Sequence, residues 1–287
     1  MQFLGDQDTR FFGVFGDPVK HSKSPVMMNR AFEVTGYNGV YGAFHISAGQ
    51  LGDAVAGIRA LDYKGVNVTI PHKVDVMPYL DEIDEAARVI GAVNTIVNEN
   101  GRLLGYNTDG IGYVRSLKEE TGIALAGKEI VMIGAGGAAR GVVHALAQEQ
   151  PAKIWIVNRT REKAEELAAQ LQSHAPMEGV HLDDLKDLLP QSSLLVNNTP
   201  IGMHPNVAQT PVSKDWLHPN LVVSDLIYNP IRTRMLHEAV EVGCTVHGGL
   251  GMFIYQGAYA FEYWTGQQAP VEEMRAVVVQ ALEENKR

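Results

Sequence analysis

Three short stretches in the first 110 residues carry side chains able to hold a small polar molecule. Ser22 and Ser24 flank Lys23; Asn67, Thr69 and Lys73 come next; Asn94, Asn107 and Asp109 complete the group. Each adjoins a run that reads as a strand, and α/β sheets place ligands at the ends of strands. Hydroxyls, amides, one ammonium and one carboxylate suit a small hydroxylated molecule rather than an apolar one. Each residue also has a purely structural reading. Ser24 suits the N-cap of a helix opening at Pro25, Asp109 suits the cap of a helix starting near Gly110, and Lys73 suits a solvated first turn.

A second kind of chemistry stands further along. Residues 131–133 (Val-Met-Ile) form a short apolar run suited to a strand buried on both faces. Gly134, Gly136 and Ala139 then fill a G-x-G-x-x-G/A turn, with Ala135, Gly137 and Ala138 between them, and residues 140–149 carry helical spacing. Strand, glycine turn and helix form the context of a dinucleotide site. Gly134 permits the tight turn, Gly136 lets the backbone approach a pyrophosphate, and the phosphates meet free N–H groups at the helix start. The next strand, 153–157, ends in Asn158-Arg159-Thr160-Arg161-Glu162-Lys163. An NAD site commonly has a carboxylate there for the ribose hydroxyls. Here cations replace it, which favours the 2′-phosphate of NADP, with Arg159 placed to stack on the adenine and pair with the phosphate.

The elements that must position these groups read as follows. Strands are predicted over 10–16, 40–46, 65–70, 92–98 and 102–106, the last two joined by a hairpin turn at Glu99-Asn100-Gly101. Helices are predicted over 25–35, 48–61 and 82–90, with a short helix opening at Pro71 and carrying Lys73. This alternation implies a mostly parallel α/β domain with the hairpin as its irregular edge. A helix over 111–120 carries the chain onward. Helices over 164–171 and 182–189, strands over 193–196, 221–225 and 243–247, and helices over 233–241, 252–264 and 271–284 complete the pattern.

The 287 residues are enough for two domains, and 45% hydrophobic with 20% charged residues describes an ordered globular chain. A net charge of −9 argues against a nucleic-acid or anionic-membrane partner. Cys244 is the single cysteine, which excludes an intrachain disulfide and a Cys-based metal site, and the ten histidines show no metal-ligand spacing. No apolar run approaches the roughly 20 residues of a membrane span. The opening residues lack the basic and apolar regions of a signal peptide, so the cytoplasm is the expected location. Nothing selects between a monomer and a homodimer.

Taken in order, the motifs resemble the shikimate dehydrogenase family over nearly the whole chain. They are 22–25 (Ser-Lys-Ser-Pro), 67–73 (Asn-Val-Thr-Ile-Pro-His-Lys), 91–95 (Gly-Ala-Val-Asn-Thr), 105–109 (Gly-Tyr-Asn-Thr-Asp), 134–139, 158–160, 198–203 (Asn-Thr-Pro-Ile-Gly-Met), 225–230 (Asp-Leu-Ile-Tyr-Asn-Pro) and Gln256. The resemblance implies a two-domain α/β enzyme. An N-terminal substrate domain, 1–110, has the C-terminal helices 250–287 packing back onto it. A Rossmann-type NADP-binding domain covers 111–249, and the active site lies in the cleft between the domains.

The activity implied is reversible NADPH-dependent reduction of 3-dehydroshikimate to shikimate, a step toward the aromatic amino acids. By the same resemblance Ser22 and Ser24 hold the substrate carboxylate, and Thr69, Asn94, Asp109 and Gln256 bind its hydroxyls. Asn67 lies nearby and Tyr228 reaches in from the other domain. Lys73 is the implied acid/base with Asp109 beside it, and a lone amine in a polar site can indeed donate a proton and stabilise a developing alkoxide. The implied cofactor residues are Gly134, Ala135, Gly136, Gly137, Ala138, Asn158, Arg159, Thr160 and Lys163, with Leu226, Gly249 and Met252 around the nicotinamide and Glu85 close to the site. One position departs from the pattern. The family often has His before Asn in the first helix, and this chain has Met28 before Asn29. Two other readings stand beside this one: a quinate/shikimate dehydrogenase using NAD, and a non-catalytic NADP-binding regulator.

Overall fold

The computed structural model describes residues 6–284. Residues 1–5, part of the stretch expected to lack a signal segment, lie outside the described residues. The chain divides into two compact units, Met1–Thr108 with Gln256–Arg287, and Asp109–Tyr255.

The first unit contains β1 (Arg10–Gly16), α1 (Ser24–Thr35), β2 (Gly39–His45), α2 (Leu51–Ala60), β3 (Gly65–Val68), β4 (Glu82–Ile83), α3 (Glu85–Ile90), β5 (Thr95–Glu99) and β6 (Arg102–Tyr106). Its sheet runs β2-β1-β3-β5-β6-β4. The pairs β1–β2, β1–β3 and β4–β6 are parallel, while β3–β5 and β5–β6 are antiparallel. The hairpin is therefore interior rather than the predicted edge. The Asp81 and Asp84 N–H groups donate to the Leu103 and Gly105 carbonyls, and this docks β4 outside β6 and satisfies its open side. Glu82–Ile83, predicted as helix, is this edge strand; α3 begins only after Asp84, whose carboxylate caps it by accepting the Ala86 N–H at 3.0 Å. The short helix expected from Pro71 is a series of turns over 70–76 followed by one 3₁₀ turn, Met77–Tyr79. Pro78 withholds an N–H that a helix continuing from Pro71 would need.

Phe15, Val55, Ile58, Val66, Val68, Ile96 and Leu103 form a buried cluster of this unit. The helix pair that ends the chain, α9 (Gly249–Thr265) and α10 (Val271–Glu284), contributes to the unit from Gln256 onward. Trp264 donates its indole N–H to the Ile96 carbonyl at 2.9 Å and packs on Phe12, and Phe261 packs on Phe32.

The second unit contains α4 (Asp109–Thr121), β7 (Glu129–Ile133), α5 (Gly137–Gln148), β8 (Lys153–Asn158), α6 (Arg161–Leu171), β9 (Met177–His181), α7 (Leu185–Leu188), β10 (Leu194–Asn197), β11 (Val222–Asp225), α8 (Arg234–Val242), β12 (Thr245–His247) and the start of α9. The order β12-β11-β10-β7-β8-β9 is parallel at every pairing. The order reverses about β7, the strand that leads into the glycine turn, and such switch points are where open α/β sheets bind ligands. Strand β9 was not predicted from sequence. The helix predicted over 182–189 is a 3₁₀ turn, the four-residue α7 and a second 3₁₀ turn ending past Pro190. Val131, Ile133, Val157, Leu195, Val223 and Leu236 are part of the core.

Candidate functional site

In the first unit the sequence-predicted polar groups sit at strand ends. Ser22 is half-buried in the loop after β1, and its hydroxyl accepts the Ser24 N–H at 3.2 Å. Ser24 is buried and is the first residue of α1 rather than its cap; Lys23 occupies the cap position without a side-chain bond. The serine hydroxyl therefore has no capping duty. Met28, at the departure from the family pattern, is fully buried, and beside it Asn29 exchanges two hydrogen bonds with the Tyr41 backbone, at 2.8 and 3.0 Å. The Asn29 bonds tie α1 to β2 directly beside this position.

Asn67 is buried in β3, and half-buried Thr69 follows that strand, its N–H donating to the Phe15 carbonyl at 2.9 Å. Lys73 stands half-buried in the turns beyond it. The Lys73 carbonyl accepts the Val93 N–H at 2.8 Å, which seats this turn against the segment carrying Asn94. Asn94 is almost fully buried. Asn107 is buried and donates to the Ala92 carbonyl at 3.0 Å, a tie between the segment after β6 and the one carrying Asn94. Gln256 is half-buried in α9. Glu85 is exposed in the first turn of α3.

Asp109 opens the second unit as the buried first residue of α4. Gly134 has φ +102, in the left-handed region, and a Cβ there would lie 2.8 Å from the Asn198 carbonyl oxygen. The turn is thus pressed against the end of β10. At Gly136 and Gly137 the opposite holds: a Cβ would meet nothing within 4 Å. Gly136 is the N-cap of α5 and offers no side-chain bond, so the first N–H groups of the helix are left to a ligand. Ala135 and Ala138 are half-buried, and Ala139 is fully buried in the α5 packing face.

At the end of β8, Asn158 donates to the Thr160 carbonyl at 2.9 Å and so shapes the turn into α6. Arg161 is held by Glu165 at 2.8 Å. Arg159 and Lys163 are exposed and make no ion pair among the described residues. An open, amide-rich turn next to two uncommitted cations fits a phosphorylated dinucleotide. NADP would be held by these residues, with its 2′-phosphate toward Arg159 and Lys163.

Leu226, Gly249 and Tyr228 also converge within this unit. The Gly249 N–H donates to the Ile227 carbonyl at 3.2 Å, and a Cβ on Gly249 would lie 2.1 Å from the Leu226 carbonyl oxygen, so α9 can start there only on glycine. Met252 is half-buried one turn further on. Tyr228 stacks on Phe253 with ring centroids 5.1 Å apart, and burial raises its phenol above the ordinary value.

Several organising residues escaped the sequence reading. His72 is fully buried, and its Nε2 donates to the Ile46 carbonyl at 2.6 Å, fixing the turn that holds Lys73. Asp225 is buried and accepts from Thr233, Ile227 N–H and Asn197 at 2.7, 3.1 and 3.1 Å, and burial raises its carboxyl above the ordinary value despite these bonds. It fixes the loop carrying Leu226 and Tyr228. His247 is buried between the Ser116 and Ser224 hydroxyls, at 2.7 and 2.9 Å, and Tyr113 donates to Ser224 at 3.0 Å. That network ties α4 to β11 and β12. Tyr41, Thr95 and Thr108 are buried polar residues of the first unit. For Asp225 and His247 the signal is a polar residue that ends an apolar strand run; Tyr41, Thr95 and Thr108 carry no such signature.

Comparison with known proteins follows the same division. The chain matches family models described as the shikimate dehydrogenase substrate binding domain over residues 14–96, shikimate/quinate 5-dehydrogenase over 116–214, and the shikimate 5′-dehydrogenase C-terminal domain over 249–279. It is 49% identical over 273 residues to a shikimate dehydrogenase (NADP(+)) of Geobacillus kaustophilus, covering 95% of this chain and 99% of that protein. Among solved structures, a shikimate dehydrogenase in complex with NADP+ is 44% identical with a TM-score of 0.91, covering 97% of this chain and 98% of that one. The shikimate 5-dehydrogenase of Listeria monocytogenes in complex with shikimate and NAD is 38% identical with a TM-score of 0.92, covering 97% and 99%. Among the described residues no helix is long and apolar enough to cross a membrane, and no cluster of His, Cys, Asp or Glu could hold a metal ion.

Proposed function

The chain belongs to the shikimate dehydrogenase family, and from that premise we propose that it catalyses the reversible NADPH-dependent reduction of 3-dehydroshikimate to shikimate. The observation that carries this reading is the set of buried amides and hydroxyls around Ser24, Asn67 and Asn94, seated against the turn that presents Lys73. Such a set reads the hydroxyls of a small polar acid and offers nothing to an apolar ligand.

NADPH, when bound, supplies the hydride. The protein's share is to bind, orient and move one proton. Ser22 and Ser24 hold the substrate carboxylate; Asn67, Thr69, Asn94 and Gln256 hold its hydroxyls, with Tyr228 adding a phenol. Lys73 delivers the proton to the carbonyl oxygen as it becomes an alcohol, with Asp109 as its partner group in the transfer. The turn at 134–138 and the groups Asn158, Arg159, Thr160 and Lys163 hold the phosphate end of the cofactor. Leu226, Gly249 and Met252 shape the nicotinamide end. The cation at position 159, where a carboxylate would favour NAD, supports NADP over NAD. The cytoplasm is the compartment this reading implies.

The test is loss of NADPH absorbance on adding 3-dehydroshikimate, compared with NADH and with quinate and shikimate in the reverse direction. Turnover with NADPH and 3-dehydroshikimate well above all other pairs is expected. A preference for quinate and NAD would replace this reading, and no turnover with any pair would leave a binding protein.

A further inference from the structure

Six residues of the first unit form one hydrogen-bonded chain whose direction can be read from its ends. At one end the buried Tyr41 phenol donates to Asn67 Oδ1 at 2.8 Å. Accepting that proton fixes which end of the Asn67 amide is oxygen, so Nδ2 points the other way and donates to Thr95 Oγ1 at 3.1 Å and to the Asn94 carbonyl at 3.2 Å. Thr95, having accepted, sends its own proton to Asn94 Oδ1 at 2.9 Å. The Thr108 N–H donates to the same oxygen at 2.9 Å. These two donors fill both lone pairs of Asn94 Oδ1. Asn94 Nδ2 donates to Thr108 Oγ1 at 3.0 Å, and Thr108 passes its proton to the Gln256 carbonyl at 3.0 Å rather than back to Asn94 Oδ1 at 3.2 Å.

The chain thus runs Tyr41 to Asn67 to Thr95 to Asn94 to Thr108 to Gln256. Three of its members, Asn67, Asn94 and Gln256, are residues assigned above to the substrate, Gln256 joining through its backbone carbonyl. The other three carry no assigned role. An amide can be rotated end for end at little steric cost, which exchanges a donor for an acceptor, so a site that reads hydroxyls with amides needs something to forbid the rotation. Here the forbidding groups are hydroxyls. With Asn94 Oδ1 filled from inside, the sense of the Asn94 amide is fixed, with Nδ2 as its donor end.

We propose that Tyr41, Thr95 and Thr108 are positioning residues that set the donor–acceptor sense of the Asn67 and Asn94 amides and hence their recognition of substrate hydroxyls. This rests on the functional reading above. None of the three need touch the substrate; each acts through an amide that does.

The test replaces each hydroxyl by a group of the same shape, T95V, T108V and Y41F, beside the variants T95S and T108S that keep it. Equilibrium binding of shikimate and of NADP+, steady-state constants and melting temperature are measured for all five. The expected result is a rise of roughly tenfold or more in Kd and KM for shikimate in T95V and T108V, with unchanged Kd for NADP+ and a smaller change in kcat. The serine variants should recover most of the shikimate affinity. Y41F should show a smaller rise in the same direction. A purely structural role would lower the melting temperature and leave shikimate affinity of the folded protein unaltered; that outcome, or serine variants as weak as the valine ones, overturns the proposal. If T95V fails to fold, T108V and Y41F read the two ends of the same chain and decide the matter. A wild-type protein that neither binds nor oxidises shikimate overturns the functional reading itself, which keeps the two failures apart.

Discussion

Lys73 stands in a turn held by two bonds that do not involve its ammonium group. The His72 ring is bonded to the Ile46 carbonyl, and the Lys73 carbonyl takes the Val93 N–H. Lys73→Ala retains both bonds and should keep the fold while lowering kcat roughly 10²-fold or more, with a smaller change in KM. Steady-state kinetics with a thermal melt checks both halves; near-wild-type turnover would remove Lys73 from the proton transfer. Arg159 makes the complementary case for the cofactor. It is exposed, while its neighbour Arg161 is already held by Glu165. Arg159→Ala should raise KM for NADPH far more than KM for NADH, because only the former carries the 2′-phosphate that the guanidinium would pair with. Equal rises for the two cofactors would count against that pairing.

At the scale of elements, the loop after β11 depends on one carboxyl. Asp225 gathers Thr233, the Ile227 N–H and Asn197. Burial raises it above 3.8, so the folded protein holds that proton more tightly than the unfolded chain does. The stability tied to the protonated form is fully present below the unfolded value and is lost as pH rises through the raised folded value. Asp225→Asn keeps a side chain of the same shape and cannot ionise. Its melting temperature relative to wild type should climb as pH rises from about 3.5 and then level off. A constant offset from altered hydrogen bonding is immaterial; a difference that stays flat across the acid range would show that the carboxyl is not strained by burial.

The same scale shows what was legible in the sequence. Long periodic stretches such as α1, α6 and β8 were readable because one face of each is buried and the pattern follows. The turns at 70–76 were not, since Pro71 suits a helix start as well as it suits a turn, and only Pro78 and the docking of Lys73 on Val93 decide between them. Strand β9 was missed because Glu178 and Gly179 at its centre are poor strand formers; it exists by pairing with β8 at the sheet edge. The interior place of the hairpin was hidden because β4 is two residues long and is docked on β6 by backbone bonds, an Arg102–Glu82 ion pair and the Asp81 carboxylate on the Leu103 N–H. Of the site, the residues at strand ends were readable by type. Tyr41, Thr95 and Thr108 were not, because their hydroxyls act on other side chains and carry no local signature.

At the scale of the molecule, the chain sorts its chemistry by unit. The amides and hydroxyls assigned to the substrate lie mainly in the unit built on the mixed sheet, and the phosphate-binding turn and its cations lie in the unit built on the parallel sheet. A net charge of −9 makes both units poor general anion binders, so an anionic ligand must find local donors. On the function proposed above, these are the open N–H groups at Gly136–Gly137 with Arg159 and Lys163 in the cofactor unit, and Ser22 and Ser24 at the start of α1 in the other. Each ligand should then stabilise chiefly the segments that hold it, by about 2.7 kcal/mol at a hundredfold excess over Kd. Hydrogen exchange read by peptide gives the map. NADP+ should slow exchange over 133–140 and 157–163, and shikimate over 22–26, 67–73 and 93–95. The protection should not trade places between the two ligands. Protection by shikimate confined to the glycine turn, or by NADP+ confined to 67–73, would reverse the assignment of the units while leaving the fold untouched. This makes the experiment a test of function and not of architecture.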